Sequence, residues 1–200
     1  GKTTIARRLL QGREDLGYSV SATTRPMRAG ERDGADYHFV SHAEFERGVV
    51  AGEFVEWAVY GGERYGTLHA EVNKLFGEGR IAVLDIDVQG ARQVRRAMPD
   101  SVHVFVLPPS AAVLVERLGR RATESRGKLR ERVAIAATEL AAVTEYDYVV
   151  INDDLITAVS HVAAIIEAEG RRVTRQRRLL GGIERLRQEV MMEADRIANG

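Results

Sequence analysis

The sequence predicts an α/β domain built on a mainly parallel sheet with helices packed around it. Short apolar runs alternate with amphipathic ones along the chain, the rhythm of strands joined by helical crossovers. One run, at 80–87, is nearly all apolar and ends in carboxylates, as a strand buried on both faces does. The rhythm breaks at 25–65, which is rich in strand patterns and reads as an insertion.

The elements follow in order. Over 3–11, Ile5, Ala6, Leu9 and Leu10 share one face of a helix. Residues 18–23 alternate as a strand, and 37–40 form a short one. Ser41 and Glu44 make a capping box for a helix through Val50. Residues 53–60 alternate strictly, with Phe54, Glu56, Ala58 and Tyr60 on one face and Val55, Trp57 and Val59 on the other. A helix over 68–76 stops at Gly77 and Gly79. The apolar strand at 80–87 leads into a helix over 89–97. Strand 102–107 breaks at Pro108 and Pro109, and Ser110 caps a helix to about 118. Residues 119–128 are polar and rich in arginine, and a long helix then runs to about 143. Strand 148–152 and helix 155–169 complete the alternation.

A chain of 200 residues can bury a core of its own. Its Lys plus Arg and its Asp plus Glu number 29 each, so global charge points to neither a nucleic acid nor a membrane surface as partner. The absence of cysteine excludes disulfides, thiolate metal sites and cysteine nucleophiles, and suits a reducing cytoplasm. Apolar runs such as 81–84 and 104–107 are too short to span a bilayer, and no signal-peptide pattern is visible.

Gly1-Lys2-Thr3-Thr4 opens the first helix and matches the second half of the phosphate-binding loop G-x-x-x-x-G-K-[ST]. Backbone N–H groups at a helix start can cradle phosphates. Lys2 can neutralise a transferring phosphate, and the Thr3 hydroxyl can hold Mg²⁺. An ordinary lysine in a helix cap would carry the same four letters. The run 81–85 strengthens the phosphate reading, because a strand ending in Asp85 puts a carboxylate beside metal and phosphates. Asp87 projects to the same side of that strand. Surface carboxylates at a strand end remain the plain alternative. The chain opens on the last glycine of the loop, so a longer natural polypeptide is expected, with an apolar strand and a glycine-bearing turn before Gly1.

Arg25 and Arg28 lie in Thr23-Thr24-Arg25-Pro26-Met27-Arg28, where Pro26 favours an irregular loop. Guanidinium forks suit phosphate oxygens, and the phenols of Tyr37 and Tyr65 can complete a phosphate cage. Glu56 is a carboxylate on an otherwise apolar strand face and needs a partner. Guanine offers its N1–H and N2–H donors as a pair. Taken singly, these residues also fit solvated arginines, core tyrosines and an edge-strand glutamate.

Together they resemble the guanylate kinase family. The resemblance is carried in order by Ser19-Val20-Ser21, Thr23-Thr24-Arg25, Arg28-Ala29-Gly30-Glu31 and Asp36-Tyr37. It continues through Glu56-Trp57-Ala58, Tyr65-Gly66-Thr67, Asp85-Ile86-Asp87-Val88-Gln89-Gly90, Pro108-Pro109-Ser110 and Asn152-Asp153-Asp154, and runs from Gly1 to about 169. It implies a P-loop NTPase-type parallel sheet flanked by helices, with a β-rich GMP-binding insertion and a helical lid. The implied domain is 1–170, with a core of 1–21, 80–116 and 144–170, an insert of about 22–79 and a lid of about 117–143. The implied substrates are ATP and GMP, with dGMP as a further acceptor, and the implied cofactor is Mg²⁺ carried with ATP.

By the same resemblance, Gly1, Lys2, Thr3, Thr4, Arg117, Arg121 and Asn152 serve ATP. Ser21, Arg25, Arg28, Tyr37 and Tyr65 hold the GMP phosphate. Glu56, Thr67 and Asp87 read guanine, and Asp85 lies near the reacting phosphates and joins Thr3 at the metal. Lys2, Arg25, Arg121 and Arg132 carry catalysis. The lid departs from the family's Gly-Arg-Gly, reading Gly119-Arg120-Arg121-Ala122. A family-like module without catalysis and a kinase of another phosphorylated acceptor are the rivals; Lys2, Arg25, Arg28, Glu56 and Asp85 weigh against the first, and Glu56 with Thr67 and Asp87 against the second.

Residues 171–200 form a basic amphipathic tail. Arg171, Arg172, Arg175, Arg177 and Arg178 cluster, and Leu179, Ile183, Leu186, Val190 and Ile197 recur at helical spacing. This reads as a helix packed on its own core or on a sister subunit, and so as the contact through which a homo-oligomer would form, in preference to a nucleic-acid arm.

Overall fold

The computed structural model describes residues 1–120 and 126–198. In chain order the first half holds α1 (Lys2–Leu10), β1 (Leu16–Tyr18), β2 (Ser21–Thr23), β3 (His38–Phe39), α2 (His42–Val50), β4 (Phe54–Tyr60), β5 (Glu63–Leu68), α3 (His69–Gly77) and β6 (Ile81–Val83). The second half holds α4 (Val88–Ala97), β7 (Val104–Leu107), α5 (Ala111–Arg120), α6 (Arg126–Leu140), β8 (Tyr148–Ile151), α7 (Leu155–Gly170) and α8 (Arg177–Ala198). The chain divides into two compact units, Gly1–Val159 and Ser160–Gly200.

In the first unit, β1 pairs with β6 and β7 pairs with β8, both in parallel. A four-stranded mixed sheet has the order β3-β2-β5-β4. The chain is thus α/β, and among the described residues the parallel strands outside the mixed sheet form two separate pairs, while β2 and β3 pair in parallel within it. Helix α1 buries Ile5, Ala6 and Leu9, part of the face that its spacing selects. The Ser41–Glu44 capping box forms as expected. One core cluster joins Val55 of β4, Val72 of α3 and Val94 of α4. A second joins Val88 of α4 to Phe105 of β7 and Ala142. Helix α4 therefore belongs to both clusters and is anchored at each end.

Four expectations are corrected. The strand expected at 18–23 is two strands in different sheets, because β1 follows β6 only to Val83, and β2 turns away to pair with β3 and β5. The strand expected at 80–87 stops at Val83, and Asp87 instead caps α4 by accepting a bond from the Gly90 N–H. The helix expected to reach 143 ends at Leu140 and tightens into a 3-10 turn, Ala141–Glu145. The strict alternation of β4 fails, because the β4–β5 register shifts between Phe54 and Glu56, leaving Val55 and Glu56 both buried.

Strand β5 is an element that the sequence pattern hid. Glu63–Leu68 lacks alternation and contains Gly66, yet β2 and β4 flank it and complete its hydrogen bonds. A Cβ on Gly66 would lie 2.9 Å from the Glu56 carbonyl oxygen and 2.7 Å from the Phe54 ring, so glycine is what lets β4 approach.

In the second unit, Glu169 is buried and bonded by Arg172 and Arg175, both at 3.2 Å. Along α8, Leu179, Ile183, Leu186 and Val190 are all exposed. Among the described residues no helix is long and apolar enough to cross a membrane.

Candidate active site

The start of α1 gathers the residues that the sequence assigns to phosphate binding. Gly1 is its N-cap, and a Cβ there would lie 2.4 Å from the Asn152 side-chain nitrogen, so glycine admits the buried Asn152 to the helix start. Lys2 Nζ donates to the Ile86 carbonyl at 2.9 Å. The Thr3 hydroxyl donates to Asp85 Oδ2 at 2.5 Å, which places the carboxylate where a P-loop cation would need it. Thr4 is exposed on the first turn. Glu139 of α6 is a carboxylate that the sequence reading missed. Burial raises its pKa, while nearby Lys2 opposes the rise and Asp87 adds to it.

The arginines expected in a lid are differently placed. Arg117 Nη1 donates to the Asn152 carbonyl at 3.0 Å. Arg132 Nη1 donates to the Leu118 carbonyl at 3.4 Å, and its buried Nε has no hydrogen-bond partner among the described residues. Arg121 lies outside the described residues.

At the acceptor end, the Arg25 fork grips Glu31 at 2.9 and 3.0 Å, and the guanidinium lies 5.3 Å from the Tyr37 ring centre. The Glu31 pairing raises the Arg25 pKa, and the Arg25 bond lowers that of the Glu31 carboxyl. Tyr37 and Tyr65 meet edge to face at 6.0 Å. Burial pushes the Tyr37 phenol up, keeping it a donor. Ser21 stands opposite Thr67 in the β2–β5 ladder. Arg28 is exposed, and its backbone N–H donates to Glu31 at 2.8 Å.

The third group surrounds Glu56, which is 4% exposed. It accepts a bond from the Thr67 hydroxyl at 2.7 Å. Burial pushes the Glu56 carboxyl up, the Thr67 bond pulls it down, and the Asp87 charge adds to the rise. So β4, β5 and the cap of α4 bring together Glu56, Thr67 and Asp87, residues 31 positions apart in the chain at their extremes, from 56 to 87. The sequence reading missed Gln93, whose amide bonds both backbone groups of Trp57. A polar residue on α4 carries no local signal for such a contact.

The arrangement offers a helix N-terminus with a lysine and a hydroxyl–carboxylate pair, an arginine–tyrosine cluster, and a buried acid. It can bind two phosphate groups and one flat partner with paired donors. Among the described residues there is no cluster of three metal-ligating side chains. The oxygen donors of Thr3 and Asp85 suit a hard cation that keeps its other ligands from water and phosphate.

The sequence model of the family described as Guanylate kinase matches residues 1–169. The chain is 47% identical over 175 residues to a guanylate kinase from Symbiobacterium thermophilum, covering 88% of this chain and 83% of the relative. It is 49% identical over 179 residues to one from Nitrobacter hamburgensis, covering 89% and 81%. The crystal structure of guanylate kinase from Anaplasma phagocytophilum superposes with a TM-score of 0.73 at 34% identity, covering 87% of this chain and 85% of that one.

Proposed function

The chain belongs to the guanylate kinase family, and from that premise we propose how its own residues carry the family's phosphoryl transfer. It is an ATP:GMP phosphotransferase, making ADP and GDP in purine nucleotide metabolism. A non-catalytic role is not favoured. The observation that carries the acceptor assignment is the buried Glu56 carboxylate, bonded by the neutral Thr67 hydroxyl. Steady-state turnover with ATP against GMP, dGMP, AMP and UMP tests it. GMP should be the best acceptor, and equal turnover of AMP would sink the assignment.

In this reading the Glu56 carboxylate accepts guanine's N1–H and N2–H, with Thr67 and Asp87 beside it. Arg25, Arg28, Tyr37, Tyr65 and Ser21 hold the GMP phosphate. Arg25 must exchange Glu31 for that phosphate, so its fork is already shaped for a bidentate anion. Gly1, Lys2, Thr3 and Thr4 hold the ATP phosphates, and Asn152 with Arg117 lies beside the nucleotide. Lys2 and Arg132, with Arg121, stabilise charge spreading over the moving phosphoryl group. The GMP oxygen is already ionised, so positioning and charge neutralisation suffice without a general base. Mg²⁺ bound with ATP at Thr3 and Asp85 would supply further charge neutralisation on the phosphates. The domain division is the core, insert and lid expected above, and closure of the lid would exclude water. A cytoplasmic location fits the cysteine-free chain.

Arg28→Lys keeps the charge and removes the planar fork. The expected result is a fall of about tenfold in kcat/KM for GMP, with the melting temperature unchanged. Full activity would make Arg28 an ordinary surface arginine.

The exposed stripe of α8 supports a homo-oligomer joined through the tail, since apolar side chains of this size favour cover from water. Light scattering should give a multiple of the chain mass for the full chain and a single chain mass for one ending at Gly170. The same subunit number in both would remove that role.

A further inference from the structure

Helix α4 touches the guanine end at three points. Asp87 caps it and accepts the Gly90 N–H at 2.8 Å. A Cβ on Gly90 would lie 2.5 Å from Glu56 Oε2, so the missing side chain is the space the carboxylate occupies. One turn on, Gln93 Nε2 donates to the Trp57 carbonyl at 2.7 Å, and Gln93 Oε1 accepts from the Trp57 N–H at 3.2 Å. A single side-chain amide thus holds both backbone groups of the residue that follows Glu56.

This bracing falls where the sheet is least regular. The β4–β5 register shifts between Phe54 and Glu56, and a bulge loosens the ladder that would otherwise fix the strand. The helix on the other side of the bond is firm, because α4 contributes Val94 to one core cluster and Val88 to the other. Gln93 transmits that firmness to the backbone beside Glu56.

We propose that Gln93 is a positioning residue for purine selection, its amide clamping Trp57 so that the Glu56 carboxylate is held over Gly90 to meet a purine bearing both a ring N–H and a 2-amino group. The inference rests on Glu56 reading guanine. Glu56 makes the contact, and Gln93 decides how accurately the contact is placed.

The test compares GMP with IMP, which lacks the 2-amino group, in the full chain. Glu56→Gln should shrink the GMP-over-IMP ratio of kcat/KM, which checks the underlying reading. Gln93→Met keeps the length and removes both bonds. It should raise KM for GMP roughly tenfold and shrink the same ratio, with kcat and the KM for ATP held. Gln93→Glu should approach wild type as pH falls, both compared at the same pH, because a protonated carboxyl again offers one donor and one acceptor. Gly90→Ala suits a helix and moves Glu56 directly, so it decides the matter if Gln93→Met fails to fold; it should shrink the ratio too. An unchanged ratio in Gln93→Met, or in Gly90→Ala where that variant decides, overturns the proposal while leaving Glu56 its role. An unchanged ratio in Glu56→Gln overturns both. Equal losses toward ATP and GMP in Gln93→Met would show a merely structural residue and also overturn it.

Discussion

Glu56→Ala is expected to lower kcat/KM for GMP by about 2–4 kcal/mol, roughly 30- to 1000-fold, with the KM for ATP nearly unchanged. Sites built on hydrogen bonds discriminate strongly, because guanine's two donors would be left buried and unpaired. Unchanged GMP kinetics would remove Glu56 from the site. The same carboxylate has a pH signature. Burial raises its pKa in the folded chain above the ordinary glutamate value, so the folded state holds this proton more tightly than the unfolded one. Its contribution to stability is therefore full below the ordinary value and is lost as pH rises through the raised one. Under the proposed role, GMP binding has the opposite sense, since an ionised carboxylate would accept the two donors. Relative to Glu56→Gln, the wild type should lose thermal stability as pH rises across the weakly acidic range, while its GMP affinity improves. A melting-temperature difference that does not change with pH would contradict the buried, proton-holding state.

Lys2→Met is expected to lower kcat by about 10²–10³, with a smaller effect on the KM for GMP. Methionine keeps much of the length and removes the charge. The Nζ group now rests on the Ile86 carbonyl at 2.9 Å, within the loop that joins Asp85 to Asp87. A neutral carbonyl holds an ammonium loosely enough for phosphate oxygens to compete for it. Single-turnover rates with bound ATP and GMP isolate the transfer step. A rate within threefold of wild type would show that Lys2 is only a helix-start lysine, the plain reading that its four-letter motif left open.

Much of the candidate site was legible because its chemistry is written in residue type and order. The GKTT start, the carboxylates after an apolar run, the TTRPMR loop and the lone glutamate in β4 each announce a charge where local pattern expects something else. The elements legible in advance were those with a complete local signal, such as α2 with its capping box and α1 with its buried face. Strand β5 was not, since its partners on both sides, not its own alternation, satisfy its backbone. Nor was the break at Ser19 and Val20, because the sequence there stays strand-like while the chain changes sheets.

By itself the sequence determined the α/β class, the order of phosphate and acceptor motifs and the residues that bear charge, because periodicity and residue chemistry are local properties of the chain. Only the tertiary structure decided which of those residues meet. Thr3 finds Asp85 across 82 positions, and Arg25 finds Glu31 in a loop with no periodic pattern. Gln93 finds Trp57 across 36 positions. The bulge in β4 turned an alternating strand into one that buries Val55 and Glu56 together. These outcomes depend on packing between elements distant in the chain. A side chain's own neighbours say whether it is suited to burial, but the backbone group, carboxylate or glycine waiting for it is supplied by another part of the fold.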